Sequence, residues 1–312
     1  MKIAVMGTGG VGGYFGGRLA ARGEDVTFIA RGSHLQAIQD RGLTVRSTLG
    51  DFTVVGAQAT DDPSRVGTAD VVLFCVKAWD TRSAAEHTRP LVGEGTAVIS
   101  FQNGVENEDV LATVLGSTHV LGGLAYVTST IASPGVIEQR GETARIVFGE
   151  LDGRESPRAQ GFLAACRGAG INAELSRDIA GAIWTKFLYI CAFSGVCTLT
   201  RQPLGPVLAD PDTRDLFVTC MNEVAAVARA RGVRLADDVV SRQLALADSY
   251  GAALKPSMLV DLERGNRLEA EWLNGAVARL GRQAGVEAPV NRFIFTALKL
   301  LAEGQSPPPA AT

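Results

Sequence analysis

Apolar positions in the first half of this 312-residue chain fall in short β-rich runs separated by helix-patterned stretches. Residues 2–6 predict a strand, 11–21 a helix and 25–30 a second strand; 71–76 and 96–100 predict further strands, each leading into a helical stretch, at 81–88 and 105–115. Repetition of strand and helix implies parallel strands joined by helical crossovers, and hence a doubly wound sheet. From residue 118 the texture changes to β-rich runs at 120–130, 136–140 and 145–149, with Ser133-Pro134-Gly135 and Gly141 as turn signals between them. These runs predict antiparallel strands that finish the sheet. A helix over 157–168 and a strand over 171–175 close the first domain near residue 176.

Everything beyond Asp178 predicts helix, with apolar residues at helical spacing in 217–230, 239–249 and 272–284. The expected fold class is α/β: an N-terminal Rossmann-type doubly wound sheet over residues 1–176, then an all-α domain over 177–305. The Pro-rich tail over 306–312 has nothing to bury and is expected to be disordered. Length agrees with two domains, since the chain exceeds what one core of roughly 150 residues organises.

Composition narrows the function classes. Hydrophobic residues at 46% and charged residues at 20% are ordinary for a globular enzyme, and a formal charge of −3 creates no general field for nucleic acid or an anionic membrane. Neither is an expected partner. The five cysteines are odd in number, form no C-x-x-C pair and sit mostly in apolar runs, as buried thiols of a reducing compartment do. The chain passes from Met1-Lys2 straight into its first strand, leaving no room for a signal sequence. Its longest apolar stretch, 187–199, is about a dozen residues, short of the ~20 that span a bilayer. The expectation is a cytoplasmic protein. His34, His87 and His119 are scattered among polar neighbours and suggest no metal site.

Gly7-Thr8-Gly9-Gly10-Val11-Gly12 fits G-x-G-x-x-G, directly after an apolar strand and opening a Gly/Ala-rich helix. In that context Gly7 permits the tight turn, Gly9 lets backbone approach a pyrophosphate, and Gly12 lets helix pack closely on strand, while the helix N-terminus faces the phosphates. The backbone of Thr8, Gly10 and Val11 shares the cradle. NAD-binding proteins typically hold the ribose 2′-hydroxyl with an acidic residue at the end of the second strand. Here the strand ends in Arg31, whose guanidinium pairs with a 2′-phosphate but accepts no hydrogen bond. This favours NADPH over NADH, the alternative being a solvated strand-end charge.

Between Asp178 and Arg201 the only charged residue is Lys186. At helical spacing it shares a face with Ala182, Ile183, Tyr189 and Ile190. Two readings are open: a desolvated ammonium tuned for proton donation, or a lysine that covers apolar surface and reaches water. Lys77 and Asn103 follow the strands at 71–76 and 96–100, where ligands of α/β sheets bind. Lys77 is either an anion-binding group or a solvated loop charge. Asn103 either holds ribose, nicotinamide or substrate, or belongs to an ordinary Asn-Gly turn.

These segments, in this order, resemble the ketopantoate reductase family of NADPH-dependent 2-dehydropantoate 2-reductases. The resemblance rests on Gly7 to Gly12, Val76-Lys77-Ala78-Trp79, Gln102-Asn103-Gly104, Ile183-Trp184-Thr185-Lys186-Phe187, and Lys255-Pro256-Ser257-Met258 followed by Asp261 and Arg267-Leu268-Glu269. It implies a substrate cleft between the two domains and makes Lys186 the general acid toward the keto oxygen. Glu269 then contacts that lysine, substrate and cofactor, Ser257 contacts the substrate carboxylate end, and Lys77 and Asn103 line the nicotinamide side. Asp261 and Ser194 join the substrate side.

Read from the residues alone, Ser257 is equally a helix N-cap, and Asp261 and Glu269 solvated helix charges. Gly265-Asn266 predicts the end of one helix and Leu268 the start of another, with Glu269 near its N-terminus.

The chain also departs from the family pattern. Ile190, Ser194 and Leu254 stand where substrate-contacting asparagines are expected, and a pocket without amide donors satisfies different substrates. Three functions are therefore in view: reduction of 2-dehydropantoate to pantoate; reduction of a bulkier or more apolar 2-oxo acid or an imine; or non-catalytic NADP sensing. The apolar helix faces leave monomer and homodimer both open.

Overall fold

The computed structural model describes residues 1–304, so the tail expected to be disordered over 306–312 lies outside the described residues. The chain divides into two compact units, Met1–Gln102 with Glu106–Ala182, and Asn103–Val105 with Ile183 onward. The dividing point after Ala182 falls inside a helix, and a three-residue piece of the first half is counted with the second unit.

The first unit is a ten-stranded sheet flanked by helices. Its strands are β1 (Lys2–Met6), β2 (Asp25–Ile29), β3 (Leu43–Ser47), β4 (Phe52–Val54), β5 (Gln58–Thr60), β6 (Val71–Phe74), β7 (Ala97–Ser100), β8 (Val120–Ser133), β9 (Val136–Glu150) and β10 (Asn172–Leu175). Its helices are α1 (Gly10–Ala20), α2 (Gly32–Arg41), α3 (Thr81–Thr88), α4 (Asn107–Leu115) and α5 (Pro157–Gly168). The sheet order is β4-β3-β9-β8-β7-β6-β1-β2-β5, with β10 on β9, and the run from β5 to β8 is parallel throughout.

Side chains alternate across a strand, and the two faces of this sheet bury two separate sets. Ile3, Val5, Leu73 and Ile99 pack with Phe15 and Leu19 of α1, Ile38 of α2 and Phe162 of α5. Ala4, Met6, Val72, Phe74 and Val98 pack with Ala84 and Ala85 of α3 and Leu111 and Val114 of α4. Both faces being covered, the central strands read as unbroken apolar runs. This is the doubly wound arrangement that the alternation of elements predicts.

Three details differ from the sequence reading. Residues 136–140 and 145–149 form one strand rather than two: Gly141, at φ +81°, sits in a bulge where the partner of Val127 is Ala144 and that of Thr128 is Arg140. Extra residues in one strand of an antiparallel pair bend it without ending it. Strand β9 is antiparallel only to β8; it pairs in parallel with both β3 and β10. The stretch from α2 to β5 is absent from the sequence reading; its strands lie at or beside the sheet edges with exposed and half-buried positions and lack the unbroken apolar runs that mark β6 and β7.

The second unit is helical: α6 (Ile179–Thr200), α7 (Leu204–Ala209), α8 (Pro211–Ala230), α9 (Val239–Asp248), α10 (Ser257–Glu263), α11 (Asn274–Ala284) and α12 (Pro289–Leu298). Phe187, Leu188, Cys191 and Val196 of α6 pack with Phe217, Met221 and Val224 of α8 and Val277 and Leu280 of α11. The apolar stretch read as a dozen residues thus belongs to a 22-residue helix, long and apolar enough by itself to span a bilayer, with a window of mean hydropathy 1.5. That window is 67% buried within the protein, which is the condition of a core helix. The five cysteines are free thiols, four of them buried and Cys75 half-buried.

Candidate active site

In the first unit the glycine turn joins β1 to α1 at the place where the chain changes direction of winding, with β2 and β5 on one side of β1 and β6 to β8 on the other. Open α/β sheets bind ligands at such a switch point. Gly7 has φ +98°, and a Cβ there would lie 2.8 Å from the Val76 nitrogen; one on Gly12 would lie 2.3 Å from the Gly7 carbonyl oxygen. Both positions exclude any side chain. Gly9 faces open space, with nothing within 4 Å of where its Cβ would be, and no side chain caps α1 behind it. The first-turn N–H groups of α1 therefore keep the unmet donors that bind phosphate oxygens. Thr8 fastens the turn to the end of β2: its nitrogen and Oγ1 both donate to the Ile29 carbonyl, at 3.1 and 2.9 Å. Arg31, two residues beyond Ile29, is exposed and is the cap residue before α2.

The carboxyl ends of β6 and β7 are held together by Gln102, a residue to which the sequence reading assigned no part. Its Nε2 donates to the Val76 carbonyl and to Thr81 Oγ1, both at 2.9 Å, and its Oε1 accepts from Ser100 Oγ at 3.2 Å. A 7%-exposed amide needs such partners, and its sequence signal was its place directly after a strand in the Gln102-Asn103-Gly104 segment. It fixes the segments that carry Lys77 and Asn103. Lys77 is exposed, with Nζ 5.5 Å from the centre of the Trp79 ring.

In the second unit Lys186 Nζ donates to Asn103 Oδ1 at 2.9 Å. Lys186 is half-buried, and its ammonium meets a protein acceptor. Burial pushes its pKa down to about 8, against the opposing pull of the Glu269 carboxylate. The lysine is therefore not a snorkelling surface residue. Glu269 is itself 8% exposed. It does not stand at the start of a helix, as Leu268 had suggested. Residues 269–273 form a turn in which the Glu269 carbonyl accepts from the nitrogens of Trp272 and Leu273, both at 3.1 Å, and α11 starts only at Asn274.

The remaining candidates have plainer surroundings. Ser257 is exposed and is the first residue of α10, the cap position being taken by Pro256. Asp261 is half-buried and accepts from Asn266 Nδ2 at 3.1 Å, with Asn266 N also on its carbonyl at 2.8 Å, so it closes the turn after α10. Ser194 is buried in α6, and Ile190 and Leu254 are half-buried against the helical core.

A glycine turn at the switch point of a doubly wound sheet, together with a helical unit that holds a lysine beside an amide and a carboxylate, defines a two-unit oxidoreductase of Rossmann type. Residues 3–153 match the family model described as ketopantoate reductase PanE/ApbA, and 178–302 match its C-terminal counterpart. The chain belongs to the ketopantoate reductase family. It is 31% identical over 304 residues to an oxidoreductase of Bacillus subtilis, YkpB, named as uncharacterized, covering 96% of this chain and 98% of the other. It is also 31% identical to a 2-dehydropantoate 2-reductase of Mesorhizobium japonicum, covering 97% and 98%. Among solved structures, a PanE/ApbA family ketopantoate reductase from Ralstonia eutropha superposes with a TM-score of 0.89 at 36% identity, covering 97% and 98%.

Proposed function

We propose that this protein reduces a small 2-oxo acid to the 2-hydroxy acid with NADPH, with 2-dehydropantoate, giving pantoate, as the first substrate to test. The observation that carries this reading is the buried Lys186 ammonium held by Asn103, with a pKa of about 8. A group with that pKa is largely protonated at neutral pH, yet gives up its proton far more readily than an ordinary lysine.

In this reading the backbone from Gly7 to Gly12, including Thr8, Gly10 and Val11, holds the pyrophosphate, and Arg31 pairs with the 2′-phosphate. The open face of Gly9 and the uncapped start of α1 fit that group. When bound, the nicotinamide would supply the hydride that the C2 carbonyl carbon accepts. Lys186 hydrogen-bonds the carbonyl oxygen and delivers a proton to it as negative charge develops there, becoming a neutral amine until solvent returns the proton. Asn103 orients the ammonium through its Oδ1, and Glu269 keeps the proton on the nitrogen until it is needed. Lys77 serves the nicotinamide side and the substrate carboxylate, with Ser257, Ser194 and Asp261 on the substrate side.

A second reading keeps the reaction and changes the substrate. Ile190 and Leu254 offer aliphatic surface where an amide would serve a hydroxylated substrate, and this favours a more apolar oxo acid or an imine. A panel of carbonyl compounds followed by NADPH absorbance separates the two. Good turnover of 2-dehydropantoate supports the first, and poor turnover of it beside good turnover of a branched or aromatic oxo acid supports the second. Tight NADPH binding with no turnover of any member would leave the sensor reading, in which a buried proton donor has no purpose.

A further inference from the structure

Four polar residues outside the site form a connected group inside the second unit. Asn274 and Asn291 are both 0% exposed, and Glu223 and Cys220 are buried beside them. The Glu223 carboxylate accepts from the nitrogens of Val290 and Asn291, at 2.8 and 2.9 Å, and so caps α12 from α8. Asn291 Nδ2 donates to Glu223 Oε2 at 2.8 Å and to the Cys220 carbonyl at 3.2 Å. Asn291 Oδ1 accepts from Asn274 Nδ2 at 2.9 Å and from Cys220 Sγ at 3.3 Å. Buried amides are held by such partners, and a group so connected favours one arrangement of its elements.

Asn274 is the member that reaches the site. Its Nδ2 donates at 3.2 Å to the carbonyl of Cys191, on α6 five residues beyond Lys186. Its Oδ1 is buried without a donor and lies against Gly195, where a Cβ would come within 2.7 Å of it. Helix α6 and the start of α11 thus meet at a point where any side chain would part them. On its other side Asn274 directly follows the turn that carries Glu269, and Gly275 N ties the helix start back to the Ala270 carbonyl at 2.9 Å.

We propose that Asn274 is a positioning residue: its carboxamide sets the register of α6 against the turn 269–273, and with it the separation of the Lys186 ammonium from the Glu269 carboxylate. The inference rests on the reading of Lys186 as proton donor, but its first test does not need a substrate. The Glu269 carboxylate is the group that opposes the burial shift of Lys186, so loosening the turn lowers the lysine pKa further.

The experiment is a pH titration of the full chain carrying lysines labelled at the ε-carbon, observed by NMR, with the Lys186 signal assigned by its loss in Lys186→Arg. Wild type titrates near 8, and Asn274→Ala titrates at least half a unit lower. Glu223→Gln, which disturbs the far end of the same group, lowers Tm but leaves the Lys186 titration in place. If Asn274→Ala fails to fold, Gly195→Ala, which pushes on the same carboxamide, is expected to give the same downward shift. An unchanged titration in whichever of these variants folds, or an equal shift in Glu223→Gln, overturns the proposal and leaves Asn274 a structural residue. Wild-type turnover in Lys186→Ala would instead overturn the proposed function, and the titrations would still decide the positioning role.

Discussion

Lys186 Nζ and Asn103 Oδ1 lie 2.9 Å apart although 83 residues separate them in the chain. The acceptor directly follows Gln102 and the donor is on α6, both counted within the second unit. An ammonium is rarely buried without partners, and here an amide oxygen and a carboxylate share that task.

Removal of the donor is the most direct test. Lys186→Ala is expected to lower kcat by roughly 10²–10⁴-fold, the range that general acid catalysis contributes, with the Kd for NADPH nearly unchanged. Single-turnover kinetics and a fluorescence titration of the cofactor check the two halves. Turnover close to wild type would remove the mechanism.

The pH profile follows from the same group. Only the protonated lysine donates, so kcat for reduction is expected to fall tenfold per unit as pH rises above about 8. Stability moves the other way. The unfolded lysine holds its proton to its ordinary value of 10.5 whereas the folded one releases it near 8, so between those values the unfolded chain binds more protons and stability rises with pH. A flat rate profile from pH 7 to about 9.5, across the interval that value predicts, would contradict the assignment.

Cofactor choice tests the end of β2. Arg31→Ala removes a charge-assisted pair worth about 1.5–3 kcal/mol, which corresponds to roughly a 10- to 100-fold rise in KM for NADPH. KM for NADH should move little. An unchanged ratio between the two cofactors would return Arg31 to the status of a solvated charge.

The tight approach in the glycine turn gives a steric prediction. Gly12→Ala places a methyl 2.3 Å from the Gly7 carbonyl oxygen, on backbone that has no room to yield. Overpacking of this kind costs about 1–3 kcal/mol, and the displaced turn should lose NADPH affinity as well. Gly9→Ala meets no protein atom within 4 Å and is expected to fold as wild type while binding NADPH more weakly. Wild-type NADPH affinity in both variants would mean that no pyrophosphate sits over this turn.

Substrate preference can be moved at one position. Ile190→Asn restores an amide to the helix turn after Lys186 and is expected to raise kcat/KM for a hydroxylated oxo acid by about tenfold relative to an aliphatic one, since a matched hydrogen bond is worth about 1 kcal/mol or more. Ratios from competition assays check it, and no change in the ratio would place Ile190 outside the substrate pocket.

Much of this was readable in the order of residues because the periods that make strands and helices are local. The alternation of Ile3, Val5 and Ala4, Met6 between two faces, the glycines at the end of β1 and the helical texture after Asp178 each involve residues within a turn or two of one another. Arg31 just beyond β2 and Lys186 alone in an apolar helix were visible for the same reason.

What the tertiary structure decided depends on residues far apart in sequence meeting in space. Whether Lys186 reached water or was buried rested on what packed around it; the resemblance had already named Glu269 beside it, and the fold added the Asn103 oxygen as its acceptor. The pairing of β9 with three strands, the turn in place of a helix at Leu268, and the closure of Asn274 on Gly195 are likewise long-range events. Periodicity names the face that an element buries; the partner it buries against, and so the charge and geometry of the site, arises only when the chain is folded.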